Sequence, residues 1–153
     1  MLRVTAKQQV MREIVDLLSI LDNEEAKFRW GEKGLACSSV DVSHVAMLEM
    51  MVADECFETY EVEPMEIGID LRKLGEVLAL AGPNDLIELD YDQATSSMVV
   101  HVSEVRRTIR GLDVSMIEEV KLPSLDFEGM KVVISTEKLS LIHISEPTRL
   151  RLI

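Results

Sequence analysis

The stretch MEIGIDLRKLGEVLALAG, residues 65–82, decides how this chain folds. Its first six residues, MEIGID, read as a strand. Leu71, Leu74, Leu78 and Ala81 then recur at three- and four-residue steps, the spacing of an amphipathic helix. GPND, residues 82–85, stops that helix with a glycine and a proline. Downstream, LIELDY (86–91), SMVVHV (97–102) and VRRTIRGL (105–112) read as three strands. The same order occurs upstream. LRVTA (2–6) is a strand, and Val10, Ile14, Leu17, Leu18 and Leu21 mark a helix over residues 7–21. AKFRW (26–30), LACSSV (35–40) and HVAMLEMMV (44–52) follow as strands, the first two joined by the turn GEKG (31–34). DECFETY (54–60) reads as a short helical turn. Each half is thus strand, helix, three strands. The shared order predicts an internal duplication and an α+β fold, with two helices packed on antiparallel sheet.

Beyond the second half the pattern breaks. DVSMIEEVKLPSLDFEG, residues 113–129, is acidic and irregular, carries Pro123, and reads as a connector. MKVVIST (130–136) resembles a third opening strand, and EKL (137–139) falls where a third helix would begin. LSLIHISEPTR (139–149) resembles the one-frame translation of a sequencing-library adapter, so residues 139–153 are read as an adapter-derived tail and set aside.

Composition narrows the function classes. The chain has 153 residues, 47% hydrophobic and 29% charged, which suits one soluble domain with its own core, or one domain and a fragment of another. No apolar run is long enough to span a bilayer, and MLRVTAKQQV shows no secretory signal. Cys37 and Cys56 form neither a disulfide framework nor a CxxC, as expected of a reducing compartment. No His and Cys cluster has zinc-ligand spacing, and no cofactor is expected.

Net charge is −12, which argues naively against nucleic acid. Distribution matters more. The first helix holds Lys7, Arg12, Glu13 and Asp16, and the second Asp70, Arg72, Lys73 and Glu76, so both are neutral. Setting aside Glu146, Arg149 and Arg151, which together carry +1, residues 1–138 carry −13, all of it outside the helices. A surface built of the two helices repels phosphate less than the rest of the chain. Two ordinary solvated helix faces would look the same.

VDVSHVAMLEM, residues 40–50, places Asp41, Ser43 and His44 together. A hydrolase triad is not expected, because neighbours on a strand point to opposite faces and no GxSxG elbow is present. His101 and His143 stand alone. Cys37, inside a strand, reads as core. As a surface the stretch has two readings. Val45 and Met47 stand outward beside Val40 as a partner site, or both faces are covered and these are core residues. Arg106, Arg107 and Arg110 fall on the last strand, where charge either blunts an edge or orients a partner.

DVSHVAMLEM together with FETYEVEPMEIGIDLRKLGEVLALAG strongly resembles the DNA sliding clamp of archaea and eukaryotes, the proliferating cell nuclear antigen family, in archaeal wording. GLDVSMIEEVKLPSLDF resembles that family's interdomain connecting loop. The resemblance covers residues 1–138 and implies the DNA-clamp (processivity) fold. It divides the chain into an N-terminal clamp domain (1–117), a connecting loop (118–128) and the first strand of a truncated second domain (129–138). It implies a non-enzymatic processivity factor whose trimeric ring encircles double-stranded DNA, helices lining the hole, with Lys7, Arg12, Arg72 and Lys73 facing DNA non-specifically. It implies a groove for a short peptide with a glutamine and an aromatic-aliphatic plug. Val40, Ser43, His44, Val45 and Met47 would form the floor, and Leu122, Pro123 and Leu125 the loop side. Implied partners are DNA polymerase, clamp loader, flap endonuclease and ligase, with no membrane. The strand carrying Arg106, Arg107 and Arg110 would meet a like subunit. Localisation would be cytoplasmic and nucleoid-associated in an archaeon, nuclear in a eukaryote. Most of the family's second domain is missing, so the chain as written is expected not to close a ring. The alternatives are a free-standing peptide-docking module and a specialised clamp-like subunit that assembles with unlike subunits.

Overall fold

The computed structural model describes residues 1–117, with Val133 and Ser135. Otherwise the connector from residue 118, the third opening strand and the tail lie outside the described residues, Leu122, Pro123 and Leu125 among them. Everything below belongs to the first of two compact units, Met1–Lys121.

Strand β1 (Leu2–Lys7) feeds into helix α1 (Gln8–Ser19), followed by β2 (Glu25–Gly31), β3 (Gly34–Val40), β4 (Met47–Ala53) and β5 (Thr59–Val62). Strand β6 (Met65–Asp70) feeds into α2 (Leu71–Leu78), followed by β7 (Leu86–Asp92), β8 (Ser97–Val102) and β9 (Val105–Arg110). Short 3-10 turns follow β4 (Asp54–Cys56) and β9 (Val114–Met116). The halves exchange their opening strands. β1 joins the second half in the sheet β5-β1-β7-β8-β9, and β6 joins the first half in the sheet β4-β3-β2-β6. Both sheets are antiparallel, with Val4 opposite Leu89 and Phe28 opposite Ile67.

The helix starts obey the same exchange. Helix N-termini leave backbone N–H groups without intrahelical partners. The Leu71 N–H, opening α2, donates to the Glu24 carbonyl in the loop after α1 (2.8 Å). The Gln8 and Gln9 N–H groups, opening α1, donate to the Asp85 (2.8 Å) and Pro83 (3.1 Å) carbonyls in the loop after α2. Asp70 caps α2 further, its Oδ1 accepting from the Lys73 N–H at 3.0 Å. The buried Gln8 amide donates to the Leu78 carbonyl at 3.0 Å, tying the start of one helix to the end of the other.

One core lies beneath both sheets. α1 buries Met11, Ile14, Val15 and Leu18, and α2 buries Leu71, Leu74, Val77 and Leu78. The expected stripe of α1 is rotated by about one position, since Leu17 is exposed and Val10 only half-buried. Both helices end earlier than expected because their last turns tighten: the Ile20 N–H reaches back to Leu17, and the Ala81 N–H to Leu78. Phe28, Trp30, Phe57 and Tyr60 form an aromatic cluster with neighbouring centroids 5.3–6.3 Å apart. Cys37 is buried, and burial pushes its thiol up to about 12, so it belongs to the core and is a poor nucleophile.

Two local expectations are corrected. The helical turn after β4 is only three residues long, and the chain then extends as β5, a fourth strand after α1, pairing with β1 through Val4 opposite Tyr60. β4 also begins at Met47, not at residue 44. Residues 41–46 form a loop in which His44 has a left-handed φ of 56°.

Candidate functional site

Three surfaces gather the residues singled out from the sequence. The first is the exposed side of the paired helices. Arg12 on α1 and Arg72 and Lys73 on α2 are exposed there, alternating with the buried stripes. Lys7 is exposed at the end of β1 rather than on α1. Three of these cations already have anionic neighbours. Arg12 Nε is 3.0 Å from Asp16 Oδ1, Lys73 Nζ is 3.7 Å from Asp70 Oδ2, and Lys7 Nζ is 3.8 Å from Glu58 Oε1. Among the described residues Arg72 makes no ion pair. Pairs this exposed contribute little and yield readily to another anion.

The second surface is a groove of about 250 Å³ at the end of the β3–β4 hairpin. Asp41 shapes it. Its Oδ1 accepts from the Val45 and Ala46 N–H groups, each at 2.7 Å, closing the loop on itself. The Ala46 N–H foremost, helped by those of Val45 and Ser43 and the nearby His44, holds the Asp41 carboxyl below its usual range. Asp41 therefore orders the loop, its Oδ1 taken up by backbone N–H groups. Val40, Asp41, Val42 and His44 line one side of the groove. Asn23, from the loop after α1, and Glu25, which opens β2, line another, and the Asn23 amide donates to the Val40 carbonyl at 3.0 Å. Met116 and Ile117, from the turn after β9, complete it.

Of the expected floor, Val40 and His44 line this groove. Ser43 and Val45 are exposed on the same loop and Met47 is half-buried at the start of β4, all beside the groove rather than in its lining. The solvent-facing reading suits Val45, which is 86% exposed, while Leu48, Met50 and Val52 pack against the core. Asn23, Glu25, Met116 and Ile117 were missed: no local pattern marks Asn23 and Glu25, while Met116 and Ile117 fall in the stretch that resembles the connecting loop, where only Leu122, Pro123 and Leu125 were singled out.

The third surface is the free side of β9. Arg106, Arg107 and Arg110 are exposed there and make no ion pair among the described residues, while Ile109 is buried. Among the described residues no group of three or more His, Cys, Asp or Glu is placed to hold a metal ion, and no helix is long and apolar enough to cross a membrane.

A duplicated α+β unit, with a helix pair and two sheets that have exchanged their opening strands, defines the fold class of the DNA clamps. Residues 1–124 match the family model for the proliferating cell nuclear antigen N-terminal domain, and the chain belongs to this family. It is 32% identical over 141 residues to a DNA polymerase sliding clamp of Methanosphaerula palustris, covering 92% of this chain and 56% of that protein. It is 30% identical over 119 residues to the corresponding protein of Methanocorpusculum labreanum, covering 78% of this chain and 48% of that one. Among solved structures it resembles the one described as the C-terminal region of FEN-1 bound to A. fulgidus PCNA. The TM-score is 0.76 and identity 25%, over 82% of this chain and 51% of that one. The chain spans about half the length of the curated relatives it matches.

Proposed function

We propose that this chain supplies the N-terminal domain of a DNA sliding clamp, a scaffold without catalysis that holds replication and repair enzymes on duplex DNA. The observation that carries the reading is the segregation of charge. In a chain of net charge −12, the charges of α1 (Arg12, Glu13, Asp16) and α2 (Arg72, Lys73, Glu76) cancel. The exposed helix side thus repels phosphate less than the acidic bulk of the chain, and its weak pairs favour sliding over a fixed grip. In the proposed assembly three subunits close a ring, with β9 and its arginines Arg106, Arg107 and Arg110 at a subunit boundary. Lys7, Arg12, Arg72 and Lys73 face the DNA.

The β3–β4 groove is the proposed dock for a short peptide with a glutamine and an aromatic-aliphatic plug. Such peptides would come from polymerase, clamp loader, flap endonuclease and ligase. Val40 and His44 line the groove and Ser43, Val45 and Met47 flank it; by the family resemblance Leu122, Pro123 and Leu125 would supply the loop side. The likeness to a PCNA solved with the C-terminal region of FEN-1 supports an endonuclease among these partners.

The test is topological. The protein carrying this domain, placed by a clamp loader on nicked circular DNA, is expected to stay through a high-salt wash and to leave when the circle is cut. Loss from the intact circle would refute the ring.

A further inference from the structure

β6 has a partner on each side. Along one edge it pairs with β2, with Lys27 opposite Gly68. On the other, Leu112 makes a single antiparallel bridge to Gly68, its N–H donating to the Gly68 carbonyl at 2.9 Å. One residue earlier, the Gly111 N–H donates to the Ser96 carbonyl at 2.8 Å. The chain leaving β9 is therefore pinned both beside its own sheet and to the other one. It then enters a turn fixed by Asp113, whose Oδ1 accepts from the Ser115 N–H (2.9 Å) and hydroxyl (2.7 Å). The next two residues, Met116 and Ile117, form a wall of the groove.

Gly68 is buried beneath this strap. A Cβ there would stand 2.6 Å from Ile117 Cδ1, 2.8 Å from the Leu112 carbonyl oxygen and 3.0 Å from Leu112 Cβ. The requirement is for space, since Gly68 does not have a left-handed φ. The Ile117 methyl can swing aside, but the Leu112 carbonyl is backbone and yields only if the strap moves. Ile117 lines the groove, so a side chain expelled from above Gly68 has the groove as its open side.

We infer that Gly68 is a positioning residue for the docking groove: its missing side chain seats Leu112 and Ile117 and so sets how large an apolar plug the groove admits. The inference rests on the docking reading above. It is not a statement about stability alone, because it predicts a change in selectivity.

The experiment uses the whole chain and two synthetic peptides. Both carry the glutamine and the aliphatic residue; one has phenylalanine in the plug and the other leucine. Fluorescence anisotropy gives both affinities. Gly68→Ala is expected to weaken the phenylalanine peptide by about tenfold, the scale of a lost or blocked pocket contact, and the leucine peptide less. Adding Ile117→Val, which removes the methyl nearest the new Cβ, is expected to restore part of the preference. Equal weakening of both peptides, as from a smaller folded fraction, would overturn the inference, and so would no change. Met116→Lys separates the two levels. Met116 lines the groove and is 82% exposed, so its substitution spares the core. If Met116→Lys weakens binding but Gly68→Ala leaves the preference intact, only the positioning role falls. If Met116→Lys has no effect, the docking reading falls as well.

Discussion

The ion pairs on the helix side predict that the four candidate DNA-facing cations are not equivalent. Arg12 Nε and Asp16 Oδ1 are 3.0 Å apart, with side chains 45% and 60% exposed. In bulk water a contact at that distance has a Coulomb energy of about 1.4 kcal/mol, and exposed i,i+4 pairs retain only about 0.3–0.5 kcal/mol. That offsets a small part of what Arg12 offers a phosphate. Asp16→Asn should therefore release a cation, whereas Arg72→Ala removes one with no ion pair among the described residues. Each phosphate contact contributes about 0.9 to the slope of log K against log salt, or about 3.5-fold in affinity between 50 and 200 mM. A short duplex titrated across that range is the assay. Asp16→Asn is expected to steepen the slope and tighten binding at low salt. Arg72→Ala is expected to flatten it by up to about 0.9, and Lys7→Ala, paired with Glu58 at 3.8 Å, by less. Lys33→Ala, exposed in the turn between β2 and β3, is the control. If Arg72→Ala behaves like Lys33→Ala and Asp16→Asn leaves the slope unchanged, the helix side is not the DNA-facing surface.

Two further predictions concern the β3–β4 hairpin. Gly34 has φ +131°, and a Cβ there would lie 2.0 Å from the Val52 carbonyl oxygen. Gly34→Ala is expected to lower the denaturation midpoint, with roughly 1–3 kcal/mol from the backbone conformation alone and the overlap adding to it; wild-type stability would show that the strands meet differently. The Asp41 carboxyl is held below its unfolded value of about 3.9, so its contribution to the loop is complete above that pH and is lost as pH falls through the lower folded value. Hydrogen exchange at the Val45 and Ala46 amides is expected to lose protection in acid before the β3 amides do, and Asp41→Ala to remove that protection at neutral pH. Unaltered exchange in the variant would contradict the cap.

The legible parts of the fold were those with a local cause. Helix spacing and the alternating strands are written in consecutive side chains, and GPND marks a helix stop by backbone chemistry. The exchange of β1 and β6 is invisible at that level, since either strand has the apolar alternation to pair within its own half. β5 was missed because TYEV is short and follows an acidic 3-10 turn. Residues 44–46 extend the apolar run of β4, yet the Val45 and Ala46 N–H groups donate to the Asp41 carboxylate and bend the chain there. The site divides likewise. Val40 and His44 lie on one hairpin and could be found together, whereas the wall opposite comes from the loop after α1 and the turn after β9. Arg12 and Asp16, four apart on a helix, were a readable pair; Lys7 and Glu58 were not. Gly68 looked like any strand residue, because its role depends on what crosses it.

The exchange of opening strands also explains why the groove and the helix side cannot be treated as separate parts. The loop after α1 serves both. Its Glu24 carbonyl accepts the first N–H of α2, the helix that carries Arg72 and Lys73. Its Asn23 amide holds the Val40 carbonyl at the groove, and Asn23 and Glu25 line that groove. Without the exchange β6 would not lie beside β2, and α2 would not begin at this loop. Nor would Gly68 lie where Leu112 crosses it. The duplication supplies two similar units, but the swapped strands fasten each helix to the other unit's loop. A peptide in the groove would therefore press on a frame that also fixes the start of α2.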